Sequence, residues 1–166
     1  GRRIEFNGEI FLDNTAGSRK EPETRININT GQDDTGEVIL NGGIRSQWHT
    51  GGWGSTTVAK EGQAYVTLGG GTLSLGNPRA LSRSRLIVPW GSHPTLNLTA
   101  MHPEAADPVT VYEIGYLDAG GKTLDLLVDV DLERGLADRL RFDGFKSYRN
   151  FLRVAGWSVL SDVPAG

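Results

Sequence analysis

Cysteine is absent from the 166 residues, so disulfide staples, thiolate nucleophiles and Cys-based zinc sites are excluded. Aromatic residues make up only 8% of the chain, and no apolar run approaches the roughly 18 residues that span a bilayer. Nor does the first stretch have the apolar centre of a signal peptide. Charge of one sign is also scarce: the net value is −3, so no global basic field draws the chain to nucleic acid or an anionic membrane. Arg79, Arg83 and Arg85 are the one local basic group, and without lysines or interleaved aromatics they read as a solvated strand face. The expectation is a protein with neither a nucleic-acid partner nor a membrane-inserted segment.

Glycine is plentiful, at 23 residues, with 7 prolines. Between these breakers the apolar residues alternate at the strand period instead of recurring at helical spacing. The chain therefore reads as all-β. Its best helical stretch, 131–140, is interrupted by Gly135 and predicts a turn or two at most.

Two regions differ in apolar content. Leaving glycine aside, only about a quarter of residues 1–55 are apolar, a clearly lower share than in the remainder of the chain. Within the first region, an Ile-rich run meets an Asn/Gly corner at 2–8, 25–31 and 37–43. Asn-Gly at 7–8 and 41–42 is a hairpin signal, because both residues accept positive φ. The uneven spacing excludes a strict solenoid. Residues 1–55 therefore read either as a short repetitive stem or arm that borrows core from other copies of the chain, or as a polar hairpin laid on the later domain. The Gly- and Trp-rich segment 46–55 reads as the linker.

Residues 56–166 contain seven short strand candidates, consistent with two antiparallel sheets packed face to face. The corners at 69–71 and 119–122 read as hairpin turns. The domain division expected is 1–55 and 56–166.

Two resemblances bear on function. Gly1, Arg3, Ile4, Glu5, Ile10, Leu12, Gly17, Gly43, Ile44 and Ser46 follow a pattern that resembles the minor tail proteins and tail fibres of phages and prophages. That resemblance implies a trimeric β-rich stem bearing a distal domain, and lack of cysteine suits such an origin. Val88 and Pro89, the strand that follows them and the segment 116–124 resemble the jelly-roll sandwiches of galactose-binding-like and carbohydrate-binding modules. This implies an antiparallel jelly-roll sandwich that holds a glycan.

Sugar recognition needs flat aromatic faces with hydrogen-bonding groups around them. Trp48, Trp53 and Trp90 lie in or beside Gly-rich segments and are the candidate platform; the same rings fit a capping or interface role. Trp157 and Tyr116 read as core. Enzymology has less behind it. Asp118, Asp125, Asp129 and Asp143 fall at positions expected to face solvent, with Asp125, Asp129 and Asp131 on one side of a strand; His49, His93 and His102 lack metal spacing, and Ser92 with His93 lacks a third group.

The expected protein is a non-enzymatic phage tail component without cofactor or metal. It assembles as a homotrimer with other tail proteins and displays a glycan-binding sandwich to the host surface. The alternatives are a carbohydrate-binding module of a secreted polysaccharide-degrading enzyme and a purely structural virion protein. The initial glycine in place of methionine suggests a segment of something longer.

Overall fold

The computed structural model describes residues 2–18, 21, 23–28, 35–51, 58–99, 109–120, 122–146 and 150–161. Every regular element among them is a strand, as the alternation predicts. In chain order these are β1 (Arg3–Phe6), β2 (Ile10–Ser18), β3 (Thr24–Ile28), β4 (Glu37–Leu40), β5 (Ile44–Thr50), β6 (Val58–Gly62), β7 (Ala64–Leu68), β8 (Thr72–Leu75), β9 (Leu81–Ile87), β10 (Thr95–Asn97), β11 (Val111–Asp118), β12 (Thr123–Asp131), β13 (Leu136–Ala137), β14 (Arg139–Phe145) and β15 (Phe151–Ser161).

The strands form three sheets. A front sheet runs β1-β4-β8-β10-β12, with β13 and β15 both attached to β12; a back sheet runs β3-β7-β9-β11-β14; a side sheet holds β2-β5-β6. Chain order and spatial order coincide in the front and back sheets. Each circuit of the chain therefore adds one strand to the front and one to the back, which is the topology of a coiled β-solenoid. The turns are unequal: Arg3 sits beside Glu37, Glu37 beside Thr72, Thr72 beside Thr95 and Thr95 beside Asp125.

Pairing is parallel in ten of the twelve ladders, the exceptions being β5 with β6 and β12 with β13. This corrects the expected antiparallel jelly-roll pairing. Two main sheets do face each other across one core, but β7 and β8 lie on opposite sheets, as do β11 and β12. The corners at 69–71 and 119–122 are thus crossings between sheets. A tight Gly turn serves a hairpin or a solenoid corner equally well, and only the partner of the next strand tells them apart. The helix candidate at 131–140 is instead a hairpin, with Gly135 at φ 64° between β12 and β13.

In-register parallel stacking places like residues in columns. Val38, Leu73, Leu96 and Leu126 form one aliphatic column through the interior, with Ile4 and Val154 at its two ends. Its middle members are buried, whereas Ile4 and Val154 are 52% and 55% exposed, their strands being the outermost of the sheet among the described residues. On the outside of the back sheet Arg25, Tyr65, Arg85 and Tyr116 alternate in register, with guanidinium carbons 5.7, 5.6 and 4.4 Å from successive ring centroids. Such cation–π contacts each stabilise by about 0.5–1 kcal/mol when exposed. Tyr116 therefore belongs to this outer ladder and not to the core.

The repeated Asn-Gly corners stack too. Asn41 Nδ2 donates to Asn7 Oδ1 and to Glu5 Oε1, each at 2.6 Å. A Cβ at Gly42 would collide with the backbone of Gly8, so the second corner approaches the first too closely for any side chain. The restated motif therefore encodes stacked corners at the front-to-side crossing.

Both the front and back sheets run across position 55: β4 pairs with β8 and β3 with β7. Ile28, Val38, Leu40 and Ile44 join the same core cluster as Leu73, Leu86, Tyr112 and Leu124. The apolar poverty of residues 1–55 is met by later coils of the same chain. Of the segment 46–55, expected as linker, residues 46–50 belong to β5, and residues 52–55 lie outside the described ones.

Candidate glycan-binding groove

Three crossings from back sheet to front sheet are stacked along one edge of the coil, at 69–71, 88–94 and 119–122. Each needs a sharp reversal over a few residues, and each has a glycine in the left-handed region: Gly71 at φ 66°, Gly91 at 82° and Gly120 at 55°. Backbone hydrogen bonds fix the crossings, from Gly69 to the Ile28 carbonyl, Thr95 to that of Gly71 and Val88 to that of Asp118. Ser92 Oγ closes the middle turn by donating to the Pro89 carbonyl at 2.6 Å.

Between the first two crossings lies an open groove of about 570 Å³. It is lined by the glycine backbone of 69–71 and by Thr35, Thr72, Thr95, Ser92 and His93. Trp90 forms its apolar wall and is 82% exposed, the most open of the large apolar residues described. The Lys122 ammonium, from the next crossing, lies 3.4 Å from the Trp90 ring centroid. One ring bracketed by a cation, beside a Thr- and Ser-lined groove with no carboxylate among its described lining residues, is an arrangement that can stack a sugar and hydrogen-bond its edges.

Of the three expected tryptophans, the two described, Trp48 and Trp90, do not come together. Trp48 lies on the inward-facing set of β5 with Ile44 and Ser46, is 8% exposed, and has the Lys60 ammonium 5.6 Å from its ring. A buried ring offers no stacking platform, so Trp48 is not part of the site. Trp53 lies outside the described residues. Trp90 alone stands at a groove. Trp157, expected as core, is 69% exposed on the terminal strand β15. His93 and Lys122 carry no pattern of their own in the sequence; the Gly-rich crossings on either side of Trp90 are the signal that places them.

The aspartates behave differently from the expected solvent-facing row. Asp129 and Asp131 of β12 are buried, although Val130 between them packs against the core, while Asp125 is bound by Arg153 through contacts of 2.7 and 2.6 Å. Burial, with Asp138 close by, pushes Asp129 up to about 6 against a hydrogen bond from Ser158 that favours its charged form. Asp138 accepts the backbone N–H groups of Thr110 and Asp129, and burial raises it as well. Nearby Tyr112 is wholly buried, and its hydroxyl donates to the Leu98 carbonyl. Asp138 thus ties the backbone of Thr110 to that of Asp129.

Asp118 sits outside: burial works to raise it, but hydrogen bonds from Arg85 and Lys146 outweigh that and hold it below the usual range. The basic group resolves in the same way, with Arg79 on Glu113, Arg83 on Glu61 and Arg85 on Asp118. Among the described residues no group of three His, Cys, Asp or Glu is placed to hold a metal ion.

No known protein family, curated protein or solved structure matches the chain.

Proposed function

We propose that this chain is a non-catalytic glycan-binding component of a phage or prophage tail, contacting host-surface carbohydrate through Trp90 and the groove beside it. The observation that carries this reading is the exposure of Trp90 at the mouth of a groove lined by Thr, Ser and Gly residues. A soluble protein leaves so large a ring in water at a cost, and stacking on the CH face of a pyranose removes it from water. The tail assignment is supported by the resemblance of the opening segment. Four of its matching residues are neighbours in the coil, Ile10 beside Ile44 and Leu12 beside Ser46. Binding without catalysis is supported by Asp138, whose carboxylate is occupied with two backbone N–H groups, and by a groove with no carboxylate among its described lining residues.

The test is binding of the whole chain to immobilised cell-surface glycans, compared with Trp90→Ala. The expected result is measurable binding by the wild type and at least tenfold weaker binding by the variant, with unchanged circular dichroism. Equal binding by both proteins overturns the site. Binding confined to structural or storage polysaccharides overturns the tail assignment in favour of a module from a secreted polysaccharide-degrading enzyme.

A further inference from the structure

Sheet edges are hazards because their unpaired N–H and C=O groups can template another strand, and proteins shield them with charge, proline, bulges or short length. β1, at one edge of the front sheet, carries such shielding: it is four residues long and includes Arg3 and Glu5. β15, at the other edge, carries only two bulges, where its register against β12 skips Ala155 and Leu160. It runs for eleven residues, is paired only on its β12 side among the described residues, and contains a single charge, Arg153. That charge is already engaged by Asp125.

Both faces of β15 are apolar and open. Phe151, Leu152, Val154, Trp157, Val159 and Leu160 are 38% to 69% exposed. At about 150–250 Å² for each large side chain, they leave on the order of 600 Å² of apolar surface in water. A patch of that size is at the top of what monomers expose, and with the polar edge it approaches the roughly 800 Å² per partner of a stable interface.

We propose that β15 is a self-association surface through which two copies of this chain pair antiparallel about a two-fold axis. A strand that is apolar on both faces and nearly uncharged is complementary to itself. Head-to-tail stacking of coils would instead set Arg3 and Glu5 of β1 against an uncharged strand. A two-fold contact also closes, whereas head-to-tail stacking propagates into filaments. The dimer presents two copies of any groove on the coil, which raises avidity without a tighter single site.

The experiment is sedimentation equilibrium of the full chain across a concentration series, with Trp157→Lys and Val159→Lys as edge-charging variants at exposed positions. The expected result is a wild-type dimer whose dissociation constant rises at least tenfold in each variant. Amide hydrogen exchange on the wild type supplies a measurement free of mutation: about half of the β15 amides, those pointing away from β12, gain protection as concentration rises. A monomer at all concentrations overturns the proposal. So does a trimer insensitive to both substitutions and without added β15 protection, which would move assembly to residues 1–55.

Discussion

Asp129→Asn should make the protein more stable at neutral pH and less stable in acid. In the folded chain the Asp129 carboxyl titrates near 6, against 3.8 for an unperturbed aspartate, because burial and the nearby Asp138 disfavour its charge. Between those values the folded state holds a proton that the unfolded state has released, so stability falls as pH rises through this window. At about 1.4 kcal/mol per pH unit, the penalty is fully present above pH 6 and reaches about 3 kcal/mol. Asparagine removes the charge and keeps an oxygen that can accept from Ser158, but its amide brings two buried donors, a cost of about 1 kcal/mol. The net gain at pH 8 is then about 2 kcal/mol, a rise in Tm of about 4–8 °C for a chain of this size. At pH 4, where aspartate is protonated in the fold, the variant should lie below the wild type by about 1 kcal/mol. Thermal unfolding of both proteins between pH 4 and 8 reads the crossover. A Tm difference that does not change with pH, or a variant less stable at pH 8, refutes the reasoning.

Asp118→Asn should act with the opposite pH dependence. Its lowered carboxyl contributes stability above pH 4 that is lost as pH falls through the folded value, so the variant should lose about 1–3 kcal/mol at pH 7 and progressively less in acid, measured by urea unfolding. Gly42→Ala should cost more than 2 kcal/mol, because its Cβ meets the Gly8 backbone, while Gly8→Ala, with open space around it, should cost less than about 1 kcal/mol; paired denaturation curves compare them. Trp90→Ala should leave stability within about 0.5 kcal/mol of wild type by urea unfolding, since the ring is largely solvated.

Period-two alternation located most strands. Ala64, Val66 and Leu68 of β7 and Tyr112 and Ile114 of β11 turn inward as the pattern predicts, and Gly breakers mark the corners between. Parallel pairing was not legible, because hydrogen-bonding partners are set by where the chain next goes. The corner at 119–122 would serve a hairpin equally well, yet it sends β12 to the opposite sheet from β11. The corner asparagines were visible as Asn-Gly repeats, but their meaning as a stack required knowing that β1 lies beside β4.

Misread residues share a cause. Trp157 has core-like neighbours in sequence, but β15 is the outermost strand of the front sheet among the described residues, and the ring is exposed there. Trp48, beside glycines, looked like a loop ring, yet β5 continues through it and its side chain falls on the inward phase. Asp129 reads as solvent-facing from strict alternation, yet it is buried beside Asp138 and Ser158. In each case the deciding fact is which coil lies above or below, information spread over neighbouring circuits of the chain. Trp90 was legible because an aromatic between Pro89 and Gly91 cannot belong to an alternating strand.

The most direct test of the groove is saturation-transfer difference NMR on the full chain with a glycan that it binds, irradiating the aromatic resonances. The account predicts strong transfer to the CH protons on one face of a sugar ring, abolished in Trp90→Ala while the strand amide spectrum is unchanged. Transfer that survives in Trp90→Ala would place the glycan elsewhere and contradict the account.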